Sequence, residues 1–175
     1  VPRLERAAGL VVTDEPADGD TSESRTGPHR ISRAAGWDAI EAATRNLFPL
    51  ASVIVVSFNT LAFTRLCVAS ILANTEYPNY ELILIDNGSS DGSAEDLSQL
   101  AERYPHLRVI RNPDNRGFGP ANNQGLTVAR GEILVLLNSD TMVPVGWLTR
   151  LAHHLADPRL GLIGPATNRT CNEAQ

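Results

Sequence analysis

Polar and acidic residues follow three separate apolar runs of this 175-residue chain. Ser57-Phe58-Asn59 follows the first run, the segment 86–92 (DNGSSDG) follows the second, and the segment 138–141 (NSDT) follows a later one. Carboxylate, amide and hydroxyl groups are hydrogen-bonding groups that can hold a polar ligand. A single polar turn is typical of any loop, but three such turns after three of the apolar runs favour a binding site.

The apolar residues predict the scaffold that carries these turns. Continuous apolar runs are typical of parallel strands buried on both faces, and they occur at residues 52–57, 81–86, 107–110, 132–138 and 160–164. Between them apolar residues recur at helical spacing, as at Phe63, Leu66, Cys67, Ser70 and Ile71. This alternation predicts an α/β fold, a doubly wound and mostly parallel sheet of about five strands with helices on both faces.

In such a sheet the ligand crevice lies beyond the carboxyl ends of the strands, near the point where the strand order reverses. All three polar turns follow the carboxyl end of a predicted strand. The sequence therefore predicts that they meet at one edge of the sheet.

The N-terminal part has a different composition. Residues 1–33 are polar and mixed in charge, which predicts a disordered linker, because such a segment buries too little apolar area to offset the entropy of ordering. Residues 34–50 predict a short helical lead-in, with an amphipathic helix over 34–47. This lead-in could be a spacer from a preceding module or a flap packed on the domain that follows. We expect that domain to span residues 51–175.

The bulk composition excludes some classes of protein. A net charge of −5 argues against a general nucleic-acid binder, which needs clustered Lys and Arg. No run approaches the ~20 apolar residues of a membrane-spanning helix, and no signal peptide is expected, because residues 1–33 have no basic segment followed by an apolar core. With only two cysteines, of which Cys67 is expected to be buried, a disulfide framework is not expected and a cytoplasmic protein fits. Peripheral attachment to the inner face of a membrane stays open.

Four segments together resemble the motifs of glycosyltransferase family 2, in the order and at the spacing of that family. They are 53–59 (VIVVSFN), 85–91 (IDNGSSD), 115–125 (NRGFGPANNQG) and 137–141 (LNSDT). They are most similar to the rhamnosyl- and galactofuranosyl-type members, whose second motif often reads Asp-Asn-Gly-Ser. The resemblance covers residues 51–175, about the first half of such a domain, and implies the GT-A fold.

The resemblance also implies roles for the donor-binding residues. Ser57 and Asn59 would line the nucleoside pocket, and Asp86 would accept a hydrogen bond from the imide N–H of uracil or thymine. The segment Asn115-Arg116-Gly117 would lie beside the diphosphate, where a helix start favours anions. The plain structural alternatives are a cap on the next turn for Asp86 and an ordinary glycine turn for Gly117.

Asp140 corresponds to the last acid of the family's Asp-x-Asp motif, which holds Mg²⁺ or Mn²⁺ against the diphosphate of the donor. Asn138 stands where the family has the first acid. An Asn can bond the ribose or a metal-bound water, but it brings no charge, which weakens the case for tight metal binding without nucleotide. The structural alternative for Asp140 is a helix N-cap or a loop residue.

The implied reaction transfers a sugar, with rhamnose as the first choice, from a UDP- or dTDP-linked donor with inversion. The acceptor would be a glycan or a lipid-linked glycan, as in cell-wall or O-antigen polysaccharide synthesis. The catalytic base is expected beyond residue 175, because family members continue past the metal motif. The chain alone is therefore expected to bind donor without completing transfer.

Two other functions stay open. A nucleotidyltransferase would need a Gly-rich loop with a basic residue after the first strand, and residues 57–61 contain neither. A non-catalytic module that binds a sugar nucleotide or docks a partner protein would share the donor-site residues.

Overall fold

A computed structural model of the chain describes residues 10–13, 29–32 and 47–165. The chain divides after Leu50 into two units. In the first, strands β1 (Leu10–Thr13) and β2 (His29–Ser32) pair in parallel. The linker prediction did not include these strands, although Leu10 is followed by two valines, which favour extended structure. The rest of residues 1–33, and the predicted helix over 34–47 except its last residue, lie outside the described residues.

The second unit alternates strands and helices, as the sequence predicts. Its elements are β3 (Ala51–Ser57), α1 (Leu61–Asn74), β4 (Tyr80–Asp86), α2 (Ser93–Arg103), β5 (Leu107–Arg111), α3 (Phe118–Val128), β6 (Ile133–Asn138) and α4 (Trp147–Leu155). The sheet is parallel throughout, in the order β5-β4-β3-β6. The chain therefore winds outward from β3 in one direction and then returns to the other side of β3. The predicted α/β fold class is confirmed.

The fifth strand predicted for this sheet is wrong. Residues 160–164 form no strand, and Leu162 is 89% exposed. An apolar run becomes a strand only when a neighbouring strand pairs with it, and within the described part of the chain the sheet ends at β6. No helix in that part is long and apolar enough to cross a membrane.

Helix α3 covers one face of the central strands. Right-handed crossovers between parallel strands place α1 and α2 on one face of the sheet and α3 on the other. Ile54, Val56, Ile83 and Ile85 form a buried cluster with Ala121 of α3. A Cβ atom on residue 125 would lie 2.5 Å from Cγ2 of Ile54, so Gly125 lets the helix approach the sheet this closely. This packing fixes the start of α3 beside the carboxyl ends of the strands.

The inner face of α1 differs from the predicted apolar stripe. Phe63 is 59% exposed and Leu66 is also exposed, while the buried residues of the helix are Thr64, Cys67, Val68 and Ile71. Oγ1 of Thr64 lies 2.8 Å from Oγ of Ser57, at the end of β3. A hydrogen bond between buried hydroxyls, which hydropathy does not reveal, thus holds Thr64 on the inner side.

A buried carboxylate joins the strands at the opposite end of the sheet. The side chain of Glu81 is 3% exposed. One of its oxygens accepts hydrogen bonds from Oγ of Ser52 at 2.7 Å and from the amide of Arg130 at 2.8 Å. The other accepts from the guanidinium groups of Arg130, at 2.7 Å, and Arg108, at 3.1 Å. Glu81 therefore links β3, β4, β5 and the connection into β6.

Replacing Glu81 by Gln is expected to lower the free energy of unfolding by about 1–3 kcal/mol at pH 7, because several charge-assisted bonds are lost at once. Urea denaturation measures the change. Glu95→Gln is the matched control, since its ion pair with Arg111 is exposed on both sides and is worth less than about 1 kcal/mol. Equal losses for the two variants would contradict this role of Glu81.

The contribution of Glu81 to stability should also depend on pH. Burial by itself would raise the pKa of Glu81, but the bonds from Ser52 and Arg130 outweigh it and hold the pKa below its ordinary value of 4.5. A carboxyl whose pKa is lowered on folding contributes stability that is complete above the unfolded pKa and is lost as the pH falls through the folded one. The difference between wild type and Glu81→Gln should therefore shrink in acid.

Candidate functional site

The three polar turns meet at one edge of the sheet, as the sequence predicts. Ser57 at the end of β3 pairs in register with Asp86 at the end of β4. On the other side of β3, Val56 pairs with Asn138 at the end of β6. The candidate site therefore surrounds the end of the central strand, where the winding of the sheet changes direction.

Hydroxyl groups connect the end of β3 with the turn after β6. Oγ of Ser57 lies 2.8 Å from Oγ1 of Thr64 and 3.2 Å from Oγ1 of Thr60. Oγ1 of Thr60 lies 3.3 Å from Oγ of Ser139, between Asn138 and Asp140. Ser57, which we expected to line the nucleoside pocket, is itself buried. Its hydroxyl faces this inner cluster and supports the turn that carries Asp140.

Asn59 holds the loops after β3 and β4 together. It adopts a positive φ of 52°, which Asn tolerates better than most residues. Its Oδ1 accepts a hydrogen bond from the amide of Ser90 at 2.8 Å, and its own amide donates to Oγ of Ser89 at 2.9 Å. The side chain of Asn59 is thus engaged with the neighbouring loop at the rim of the site.

Asp91 caps two helices from the same loop. Its Oδ2 accepts a hydrogen bond from the amide of Leu61, the first residue of α1, at 2.9 Å. Its Oδ1 accepts from the amide and the hydroxyl of Ser93, the first residue of α2. The Ser93 hydroxyl and the Leu61 amide lower the pKa of Asp91. The last residue of the second motif therefore serves as a helix cap.

Asp86 has one carboxylate oxygen engaged and one free. The residue is 1% exposed, and its Oδ2 accepts a hydrogen bond from the amide of Ser89 at 3.2 Å. This bond is the cap on the next turn that was the structural alternative for Asp86. Its Oδ1 is buried and has no hydrogen-bond partner among the described residues. A buried acceptor without a partner is costly, and a ligand that donates a hydrogen bond would relieve that cost.

The turn at Asn115-Arg116-Gly117 lies directly before α3. Oδ1 of Asn115 accepts a hydrogen bond from the amide of Gly117 at 2.9 Å. Gly117 adopts a φ of 85°, which favours glycine. Arg116 is exposed, and its guanidinium makes no ion pair with any described residue. The turn therefore presents an uncompensated positive charge beside the first amides of a helix, a combination that attracts anions.

Asn138 and Asp140 are exposed in the turn that follows β6. The amide of Thr141 donates to the carbonyl of Asn138 at 3.1 Å and closes this turn. The next helix, α4, has Gly146 as its N-cap. Asp140 is therefore a loop residue rather than a helix cap.

Cys67 is buried behind this turn. Its Sγ donates to the carbonyl of Asn138 at 3.5 Å. Burial raises the pKa of Cys67 to about 11, so the thiol stays protonated at neutral pH. Cys67 acts as a packing residue, as expected from the sequence.

Asp140 is a single carboxylate, which fits a metal site whose other ligands come from the substrate and from water. Residues 47–165 contain no group of three or more His, Cys, Asp or Glu residues that could hold a metal ion. Mg²⁺ is often bound by one or two carboxylates together with substrate phosphates and several waters. Asp140 fits that arrangement, in which most of the ligands come from the substrate and solvent.

The sequence alone indicates no role for Thr60 or Asn87 in the site. Thr60 follows the first motif directly, and Asn87 lies between Asp86 and Gly88 of the second. The only feature of the sequence that could have pointed to them is their position next to predicted site residues. Thr60 reaches the turn after β6 through Ser139, 79 residues away, and the side-chain partners of Asn87 lie 25 to 30 residues away.

The sheet order and the edge that carries the polar turns place this chain in the class of α/β folds found in GT-A glycosyltransferases. The chain belongs to glycosyl transferase family 2, whose family model matches residues 52–174. The predicted family resemblance is thereby confirmed.

Two curated relatives show the extent of the similarity. The glycosyltransferase GlyG of Streptococcus pneumoniae is 37% identical over 94 residues, which cover 54% of this chain and 31% of the relative. The glycosyltransferase AglE of Haloferax volcanii is 30% identical over 118 residues, which cover 66% of this chain and 38% of the relative. This chain thus spans about a third of the length of these two relatives.

Solved structures show the same relationship. The mannosyltransferase PcManGT from Pyrobaculum calidifontis, in complex with GDP-Man and Mn²⁺, is 30% identical with a TM-score of 0.61, covering 65% of this chain and 34% of that protein. S. aureus TarS 1-349 in complex with UDP-GlcNAc is 25% identical with a TM-score of 0.53, covering 60% of this chain and 30% of that protein.

Proposed function

We propose that this chain forms the donor-binding part of a glycosyltransferase that binds a nucleoside diphosphate sugar together with Mg²⁺ or Mn²⁺. The observation that carries the proposal is the pair of acids at the ends of β4 and β6, the two strands that flank β3. Asp86 holds a buried acceptor without a partner on one side of β3, and Asp140 exposes a carboxylate on the other. The GDP-Man and Mn²⁺ bound by the Pyrobaculum mannosyltransferase support the same pairing of ligand and metal.

The base would be recognised at Asp86. Its free Oδ1 suits a ring N–H donor, because a carboxylate oxygen only accepts hydrogen bonds. Uracil and thymine offer such a donor at N3, whereas cytosine has an acceptor at that position. Guanine also offers a ring N–H, at N1, so the UDP- or dTDP-linked donor that we propose rests on the motif likeness as well as on this free oxygen.

The diphosphate would lie between the Asn115–Gly117 turn and Asp140. Arg116 and the first amides of α3 supply positive potential on one side. A divalent cation held by Asp140 would neutralise charge that grows on the leaving diphosphate. Asn138 would bond the ribose or a metal-bound water.

The finer assignments rest on the motif likeness. We propose rhamnose as the first sugar to test, transfer with inversion, and a glycan or lipid-linked glycan as acceptor. A cell-wall or O-antigen polysaccharide would be the product, made at the inner face of the membrane.

Calorimetric titration of the chain with UDP, dTDP, GDP, CDP, CTP and NAD, each with and without Mn²⁺, tests the proposal. We expect UDP and dTDP to bind more tightly than CDP, and Mn²⁺ to increase their affinity by at least about tenfold. Preference for NAD, or for a nucleoside triphosphate such as CTP over the diphosphates, would overturn the proposal and favour a different class of nucleotide-binding protein.

A further inference from the structure

The side-chain amide of Asn87 is fully hydrogen-bonded to a single loop. Asn87 follows β4 directly and is 2% exposed. Its Oδ1 accepts hydrogen bonds from Nδ2 of Asn112 at 3.0 Å and from the amide of Arg116 at 3.2 Å. Its Nδ2 donates to Oδ1 of Asn115 at 2.8 Å and to the carbonyl of Gly117 at 3.3 Å. A primary amide has two donors and two acceptor sites, and the loop 112–117 occupies all four.

The exposed part of this loop depends on Asn87 for its shape. The backbone N–H of Asn112 donates to the backbone carbonyl of Asp86 and anchors the start of the loop. Residues 113–117 are exposed. Gly88 brings the two loops together, because a Cβ atom there would lie 2.6 Å from the backbone carbon of Asp114. Asn87 is thus a buried support beneath an otherwise exposed turn.

Neighbouring residues at the end of β4 therefore face different parts of the site. Asp86 keeps a free carboxylate oxygen, and Asn87 holds the turn that carries Arg116 and begins α3. We infer that Asn87 is a positioning residue for the diphosphate of the donor: it acts through the Asn115–Gly117 turn and affects diphosphate affinity without affecting nucleoside affinity. This inference rests on the proposed function, in which that turn lies beside the diphosphate.

The role requires an amide rather than a carboxylate. In Asn87→Asp the side chain keeps its shape and its two acceptors, but it cannot donate to Asn115 or Gly117. It would instead place a negative oxygen against Oδ1 of Asn115 and the carbonyl of Gly117. Because a carboxylate oxygen repels the partial negative charge of these two amide oxygens, the turn would move away from the position that it has here.

The experiment compares UDP with uridine in the presence of Mn²⁺, by calorimetry on the whole chain. For Asn87→Asp we expect the affinity for UDP to fall by about tenfold or more, with the affinity for uridine unchanged within about twofold. A parallel loss for both ligands would show a general structural role and would overturn the inference. Unchanged UDP affinity would overturn it as well.

Because Asn87→Asp also adds a negative charge, a second variant must test the effect of charge alone. Asn123→Asp introduces the same charge on α3, at an exposed residue whose side chain makes no hydrogen bond with a described residue. It should leave UDP affinity within about twofold of wild type, because it breaks no contact of the turn. A loss equal to that of Asn87→Asp would assign the effect to charge and would overturn the inference.

A double-mutant cycle that combines Asn87→Asp with Asn115→Ala tests whether Asn87 acts on diphosphate affinity through the Asn115–Gly117 turn. Asn115 is exposed, so this variant removes the acceptor of the Asn87 amide with little risk to folding. If both residues act through one turn, the double variant should lose no more UDP affinity than the worse single variant. Losses that multiply would contradict a shared route.

Two outcomes separate this inference from the proposed function. A wild-type chain that fails to bind UDP in Mn²⁺ would overturn both. A wild-type chain that binds UDP, with Asn87→Asp and Asn115→Ala binding it equally well, would overturn the inference alone. If thermal melting shows that Asn87→Asp is unfolded, the UDP and uridine affinities of Asn115→Ala decide by the same criteria.

Discussion

Replacing Asp140 by alanine is expected to reduce UDP affinity in Mn²⁺ to the value measured in EDTA, a loss of at least about tenfold or 1.4 kcal/mol. Asp140 is the only acid in the turn 138–141. Without it, a cation bound to the diphosphate has no carboxylate of this turn to bridge it to the protein. Calorimetry in Mn²⁺ and in EDTA measures the difference.

The fold should survive this substitution, because the exposed side chain of Asp140 makes no hydrogen bond with a described residue. Asp157→Ala is a matched control, since Asp157 is an acid bonded to Arg159 in the loop after α4. It should leave the response to Mn²⁺ unchanged. Retention of the full Mn²⁺ effect in folded Asp140→Ala would contradict the metal role.

Replacing Asp86 by Asn is expected to lower uridine affinity by roughly tenfold to a hundredfold, since a hydrogen bond to a charged group is worth about 1.5–3 kcal/mol. The isosteric Asn can still accept from the amide of Ser89 with its oxygen. Its NH₂ group would then replace the free Oδ1 and meet the N3–H of uracil donor to donor. Cytosine has an acceptor at N3, so the preference should move from UDP towards CDP.

Asp96→Asn is the control for Asp86, because Asp96 pairs with Arg65 on the helices α1 and α2. It should leave both affinities unchanged. Equal loss of UDP and CDP affinity in Asp86→Asn, with a normal melting temperature, would be incompatible with base recognition at this residue.

The strands could be predicted from the sequence because a strand that is buried on both faces consists of a continuous run of apolar residues. β3 and β4 are continuous apolar runs, and both are buried along almost their whole length. The same rule fails at residues 160–164, since an apolar run does not specify a pairing partner. The helical spacing of apolar residues predicts the inner face of α1 only in part: Phe63 and Leu66 are exposed, and Thr64 is buried instead, with its hydroxyl 2.8 Å from that of Ser57.

The polar turns could be located from the sequence, but the hydrogen-bond partners of each side chain in them could not be predicted. The order of strand and turn predicts that Asp86 and Asn138 lie at one edge of the sheet, and they do. Which groups Asn87 binds depends on how loops 25 to 30 residues apart approach each other. A single sequence contains no signal for that approach.

Paramagnetic broadening by Mn²⁺ in the complex with UDP tests the central claim most directly, because it locates the metal in the chain. In a proton–nitrogen spectrum of the labelled chain, the amides of residues 138–141 and 115–119 should broaden first, and only when UDP is present. Amides of the groove between α1 and α2, around Val68 and Leu100, should stay sharp. Broadening centred on that groove, or broadening of 138–141 that persists in Asp140→Ala, would contradict a donor site at the carboxyl ends of the strands.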